Sequence, residues 1–217
     1  MMTVGRSDSR AVGLVCVGWA LLIAPPLDRL SAQVSLSASL GGRYTTTLVH
    51  DSIVAPFDVR IGLSPAATLA ASLPLEVPWT ADVTLDVSYG AVSRHDQSGT
   101  VATITHVATL TLGVGLRRDL RHGFSAAVGA GLLKYIPSEQ IGIFRDGGGA
   151  VTPMGAAAVV YGPPAAARRG LSLEARYDLH GFLTPALRSE GFVNSTVVHR
   201  VAVAVRYRLW SGGGGQP

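Results

Sequence analysis

From Val34 onward, apolar and polar residues alternate with a period of two in one run after another, and no stretch sustains a helical period. Alternation over such lengths marks strands with two unlike faces. In "WTADVTLDVSYG" (79–90), Trp79, Ala81, Val83, Leu85, Val87 and Tyr89 share one face. Thr80, Asp82, Thr84, Asp86, Ser88 and Gly90 share the other. The run 100–118 is longer. Its apolar face holds Ala102, Ile104, Ala108, Leu110, Leu112, Val114 and Leu116, with His106 among them. The opposite face holds Thr103, Thr105, Thr109, Thr111, Gly113, Gly115 and Arg117, and Val107 is its one apolar member. That length exceeds an average globular strand of about 5–6 residues. It suits a tilted strand crossing a bilayer, which takes about 9–11 residues.

Six further segments read the same way: 34–46, 66–75, 124–136, 151–161, 171–182 and 197–210. Pro74 and Pro153 weaken the second and sixth strands, because proline cannot donate to a ladder. Long connections (50–65, 91–99, 137–150, 184–195) alternate with short ones (75–78, 118–123, 162–170). An even strand count with long and short connections at opposite ends predicts an all-β fold: an eight-stranded antiparallel up-and-down transmembrane β-barrel, its termini at the short-turn end. Aromatic residues sort by height in this arrangement. Trp79, Phe124, Tyr207 and Trp210 fall near the short turns, and Tyr44, Tyr89, Tyr135 and Phe182 near the long loops. Two girdles at the two membrane interfaces are expected.

Alternation alone does not say which face is inside. Charge decides it. Asp82, Asp86, Glu174 and Asp178 stand in mid-strand on the polar faces with Arg43, Arg117, Arg176, Arg206 and Arg208. Gly113, Gly115, Gly129 and Gly131 cluster there too. An eight-stranded barrel is only wide enough for side chains to fill it. Small residues and compact ion pairs therefore predict a polar, charge-paired lumen with the apolar faces turned to lipid. Asp82, Arg117, Glu174, Arg206 and Arg208 fall in its short-turn half. A soluble periplasmic barrel, apolar inside, is the alternative.

The chain begins differently. Arg6 and Arg10 precede the apolar run 11–24, Pro25 and Pro26 follow it, and Ser31 and Ala32 end the segment. A positive start, a short apolar run and a small-residue cleavage site describe a secretory signal over 1–32. The mature barrel then spans 33–210, and 211–217 is a flexible Gly-rich tail. The only cysteine, Cys16, lies in the signal, so the mature chain has no disulfide or thiol chemistry. Net charge is +4, with the arginines scattered, so no nucleic-acid partner is expected.

The segment "VAVAVRYRLW" (201–210) resembles the closing strand of the small outer-membrane β-barrels, the OmpA- and OmpX-like family of Gram-negative cells. That strand ends in alternating apolar or aromatic residues read by the barrel assembly machinery. Tyr207 and Leu209 match the last two outward positions, and Ala204 stands where a glycine is frequent. Leu209 replaces the more usual Phe, and "SGGGGQP" follows where the family finishes on its aromatic residue. The resemblance implies an outer-membrane location, with outer-membrane lipids, lipopolysaccharide and the assembly machinery as partners. It implies a structural or surface-interaction role, and the residues themselves suggest no cofactor.

Candidate chemistry is thin. Two residues four apart on one strand are about 13 Å apart, whereas paired glycosidase carboxylates need about 5–9.5 Å, so Asp82 and Asp86 are not such a pair. His95 with Asp96 and Ser98 is the nearest approach to a catalytic set, but neighbouring residues on a strand point apart. His106 is expected to face lipid, and His180 shares a face with Asp178, free to bond loop backbone. No metal spacing occurs, and no catalytic, cofactor or metal residue is assigned. A narrow channel and a lipid-modifying enzyme stand as functional alternatives.

Overall fold

The computed structural model describes residues 34–51 and 57–211. The signal segment 1–32 and the tail beyond Ser211 lie outside the described residues. Ten strands form one antiparallel sheet: β1 (Ser35–Thr45), β2 (Val49–Asp51), β3 (Phe57–Ile61), β4 (Ser64–Pro74), β5 (Trp79–Asp96), β6 (Val101–Asp119), β7 (Phe124–Pro137), β8 (Thr152–Tyr161), β9 (Leu171–Phe182) and β10 (Thr196–Ser211). The short helices α1 (Pro164–Ala167) and α2 (Pro185–Ser189) and a 3-10 turn at Gly142–Phe144 lie in connections.

Eight strands close a ring. β1 pairs with β10 and β4, each later strand pairs with its chain neighbour, and β5 pairing with β6 completes the circuit. Closure leaves no edge, the condition a sheet must meet to sit in hydrocarbon. The first and last strands meet at Ser35 and Ser211, at the end of the short connections. The prolines sit where ladders finish. Pro65 and Pro153 stand one residue from the ends of the β1–β4 and β7–β8 pairings, so little hydrogen bonding is lost.

Two connections expected as loops are strand. β5 runs 18 residues and β6 runs 19, past the point where β4 stops pairing at Ser88. β3 then takes β4's place beside β5, from Ile61 opposite Val92 to Phe57 opposite Asp96, and β2 pairs with β3. Residues 49–51, 57–61 and 92–96, with the start of β6, therefore build a four-stranded extension of the wall at the long-loop end. Alternation there is broken by the β-bulge at Val92/Ser93, which hides the strand from a period-two reading.

The inner wall is crowded by curvature. Gly113 faces Gly131, and Gly115 faces Gly129, across β6 and β7. A Cβ on Gly129 would stand 2.4 Å from the Val114 carbonyl oxygen, and one on Gly131 2.6 Å from that of Leu112. Both obstacles are backbone and cannot turn aside. Gly129→Val is therefore expected to lower stability by about 1–3 kcal/mol or more, read as a lower urea midpoint in detergent. An unchanged midpoint would show that β6 and β7 are free to part there.

Candidate functional site

The two faces have the polarity of a transmembrane barrel. Leu40, Leu69, Val83, Leu112, Val114, Val128, Val203 and Val205 are exposed on the outer wall, with Leu40 70% and Val203 61% accessible. Asp86, Asp178, Arg43 and Arg200 are at most 2% accessible inside it. A soluble barrel would reverse this arrangement, leaving its charges outside. No described helix is long and apolar enough to cross a membrane; the strands do the crossing.

Inside, the side chains stack in three levels. The middle level is the tightest. Arg43 grips Asp86 with both terminal nitrogens, at 2.5 and 2.7 Å, and Thr68 Oγ1 donates to the same carboxylate at 2.8 Å. Asp178 accepts from Arg176 Nε at 2.7 Å and from Arg200 Nη2 at 2.9 Å. Arg200 also reaches Thr109 and Thr111 on β6, across the lumen from β10. Five charged residues from β1, β5, β9 and β10 thus fill this level: their ion pairs join strands on the same side of the ring, and the bonds from Arg200 to the β6 threonines cross it. Arg176 lies over Gly113, where a Cβ would be 4.0 Å from its Nη2. Burying such charges is tolerable only with this degree of pairing.

The short-turn level is looser. Arg117 stands 3.5 Å from Asp82, and Arg206 stands 3.6 Å from Glu174. Arg206 Nε donates to Ser37 Oγ at 2.9 Å. Arg208 differs from the lumen position expected for it. It is exposed at the mouth and, among the described residues, pairs with no carboxylate. A cavity of 320 Å³ opens here, lined by Arg117, Arg206, Arg208, Asp119 and serine hydroxyls.

The long-loop level is apolar, which the polar-lumen reading did not include. Leu48, Val59, Val92, Val107, Leu133, Tyr135, Phe144, Phe182, Leu187 and Val198 form one buried cluster. Strand ends, the paired strands β2 and β3, the 3-10 turn and α2 all contribute to it. Thr184 caps α2 by accepting from Leu187 N at 3.3 Å, and its hydroxyl donates to the Ile143 carbonyl at 2.6 Å, joining the two loops. Tyr135 and Phe182 are corrected accordingly. Expected at the lipid interface, they are 2% accessible and face inward, with ring centroids 5.1 Å apart. His180 is corrected too: its Nε2 hydrogen-bonds the Tyr135 hydroxyl at 2.7 Å rather than loop backbone.

The remaining aromatic positions Trp79, Phe124, Tyr207, Trp210, Tyr44 and Tyr89 are exposed. Arg118 lies over the Trp79 ring at 5.4 Å, and His106 stacks on Tyr89 at 5.6 Å. Sequence reasoning passed over Tyr177, exposed on β9 and hydrogen-bonded to His199 Nδ1 at 2.6 Å. In the closing strand, Ala204 faces Gly41, and a Cβ on Gly41 would lie 2.7 Å from that of Ala204, so the required glycine stands on the partner strand. Tyr207 pairs with Ala38, while Leu209 falls at a bulge, between Arg208 opposite Ser37 and Trp210 opposite Leu36.

His95, Asp96 and Ser98 form no catalytic set. Asp96 accepts from Arg94 Nε at 2.7 Å, and Ser98 contacts Thr100. Among the described residues no serine or threonine hydroxyl hydrogen-bonds a histidine ring, and no group of three potential metal ligands occurs. His95 lines an outer recess with His50, Phe57, Asp58 and Arg60. There the hydrogen bond with His50, and then that from Arg60, holds the Asp58 carboxyl below its ordinary range.

No protein-family model and no curated protein matches the chain. Several solved structures resemble it. Neisserial surface protein A aligns at 11% identity, covering 81% of this chain and 97% of its own, with a TM-score of 0.47. Outer membrane protein AlkL aligns at 14%, covering 85% and 94%, at 0.49. Ail of Yersinia pestis, solved with the heparin analogue sucrose octasulfate, aligns at 10%, covering 82% and 98%, at 0.43. A closed eight-stranded wall with an apolar belt and a charged interior is itself the build of a small outer-membrane β-barrel, and the outer membrane is where such a wall resides.

Proposed function

We propose that this barrel is a sealed structural element of the outer membrane whose working surface is its long-loop end. The observation that carries the reading is Arg200, which is held by Asp178 on the neighbouring strand and reaches Thr109 and Thr111 of β6 across the lumen, below an apolar cap. A conduit for ions or polar solutes needs a wetted path. Here Arg43 and Arg200 spend their terminal nitrogens on carboxylates and hydroxyls, and the level above offers hydrocarbon. What remains accessible at the long-loop end is the outer rim: the β2–β3–β5–β6 extension and the loops 138–151 and 183–195.

Mixed charge on that rim suits contact with lipopolysaccharide phosphates and with other surfaces. Arg60, Arg94, Arg145 and Arg188 alternate with Asp58, Asp96, Asp146 and Glu190 there, and several pair with one another. The assembly machinery is the expected partner during insertion, through β10. Planar bilayer recording tests the seal. The folded protein is expected to give no stepwise conductance at any holding voltage the bilayer survives. Reproducible single-channel steps from monodisperse protein would overturn the reading in favour of a narrow channel.

A further inference from the structure

We propose that the short-turn mouth of the lumen is an anion-binding vestibule that takes a phosphate group between Arg117, Arg206 and Arg208. The two charged levels of the lumen are bonded differently, and that difference is the starting point. In the middle level every ion pair is also a hydrogen bond, at 2.9 Å or less. In the short-turn level the pairs stand at 3.5 and 3.6 Å, and among the described residues no hydrogen bond joins Arg117 to Asp82 or Arg206 to Glu174. Arg117 Nε and Asp82 Oδ1 are buried there with no partner. The carboxylates hold these guanidinium groups by charge without using their donor forks, of which Arg206 gives Nε to Ser37 and Nη2, at 3.5 Å, to Ser72.

Those forks border the 320 Å³ cavity. Its charged lining is Arg117, Arg206, Arg208 and Asp119, three cations to one anion, with Asp82 and Glu174 set deeper, where they line the next, smaller cavity. Ser37, Ser125 and Ser172 add hydroxyls that donate as readily as they accept. Guanidinium groups match the oxygens of phosphate two at a time, in a partly enclosed site where the interaction is strengthened by low dielectric. The cavity is larger than a phosphate group alone requires, leaving room for the alcohol or sugar that bears it. Outside it, the turns carry Arg118, Arg121, Arg168 and Arg169 against Glu76, a field that draws anions toward the mouth. Asp119 opposes binding and so provides a control of opposite sign.

The test uses the full folded chain in a maltoside detergent, which carries no phosphate, at constant ionic strength. Calorimetric titration compares inorganic phosphate, glycerol 1-phosphate and a short-chain phosphatidylglycerol below its micelle concentration. Saturable binding of one equivalent is expected. Arg208→Gln should weaken it about tenfold, the loss of a charge-assisted contact. Asp119→Asn should tighten it several-fold, a gain that mere loosening of the fold would not produce. Arg169→Gln, outside the cavity, should leave it unchanged. Retained gel mobility without boiling reports that each variant is folded. Equal affinity for the three probes identifies free phosphate compounds as the source, and a preference of tenfold or more for the lipid identifies a headgroup. Absence of saturable binding of all three, or binding indifferent to both Arg208→Gln and Asp119→Asn, would overturn the proposal.

Discussion

Asp178→Ala is expected to cost the folded barrel about 3–5 kcal/mol, the penalty for removing one partner of a buried ion pair. The size follows from what remains behind. Asp178 is 1% accessible and is the shared acceptor of Arg176 and Arg200. Without it, two guanidinium groups stay buried in the lumen near Arg43, with Asp86 already committed to Arg43 by two hydrogen bonds. The comparison that isolates this effect is Asp82→Ala. Asp82 is also buried, but it stands 3.5 Å from Arg117 and lines the small cavity below the mouth. Its loss should cost well under half as much. Urea unfolding in detergent, followed by the fluorescence of Trp79 and Trp210, reads both. Equal costs for the two aspartates would show that hydrogen-bond geometry does not set the energy of this lumen. A further expectation separates stability from specificity. Replacing Arg176, Asp178 and Arg200 together by apolar residues of similar volume should be close to neutral, because desolvation of the three charges is removed along with their attraction.

The wall was legible because period two persists through every stave, and a lipid-facing strand cannot tolerate many exceptions. Mid-strand charge then settled which face was inside. The middle level was legible only in part. Asp86, Arg176 and Asp178 were read as lumen residues, but Arg200 was missed although it shares β10's inward parity with Arg206. The signal was present in "VHRVAVAVRYRLW", where arginines recur only at even positions. The apolar cap left a subtler trace. Val107 was the one apolar residue on an otherwise polar face, and it is buried in the cap cluster. Leu133 and Val198 break the inward face of their strands in the same way and belong to the same cluster. Lumen-face exceptions at the long-loop end thus mark where the interior changes from polar to apolar. Tyr135 and Phe182 were misplaced for this reason: their height was right, but an aromatic residue near the interface can face either way, and parity puts both inside. Which loops fold down to complete the cap depends on contacts between 141–144 and 184–187, which no periodicity encodes.

Phe144→Ala should act on the cap alone. The ring is fully buried, 5.9 Å from Phe182 and 6.3 Å from Tyr135 by centroid, and it is carried on a single turn of 3-10 helix with no ladder of its own. Emptying that site costs about 3–5 kcal/mol, yet Phe144 itself sits in a connection, and the strand residues it touches, Tyr135 and Phe182, lie near the ends of β7 and β9, beyond the charged middle of the ring. The expected result is local opening: amide exchange in 138–151 and 184–195 faster by roughly 100-fold or more, with the strands β6 to β10 keeping their protection below the cap. Acceleration spread evenly through those strands would mean that cap and wall unfold as one unit. Conductance supplies the second reading of the same variant. If the lumen is sealed twice, Phe144→Ala stays silent in planar bilayers because Arg200, held by Asp178 and bonded to Thr109 and Thr111 of the opposite wall, still fills the bore, and Asp178→Ala stays silent because the cap still covers it. Only the double variant should show transient steps. Steps from Phe144→Ala alone would assign the seal to the cap and leave the buried charges the single task of holding the staves together.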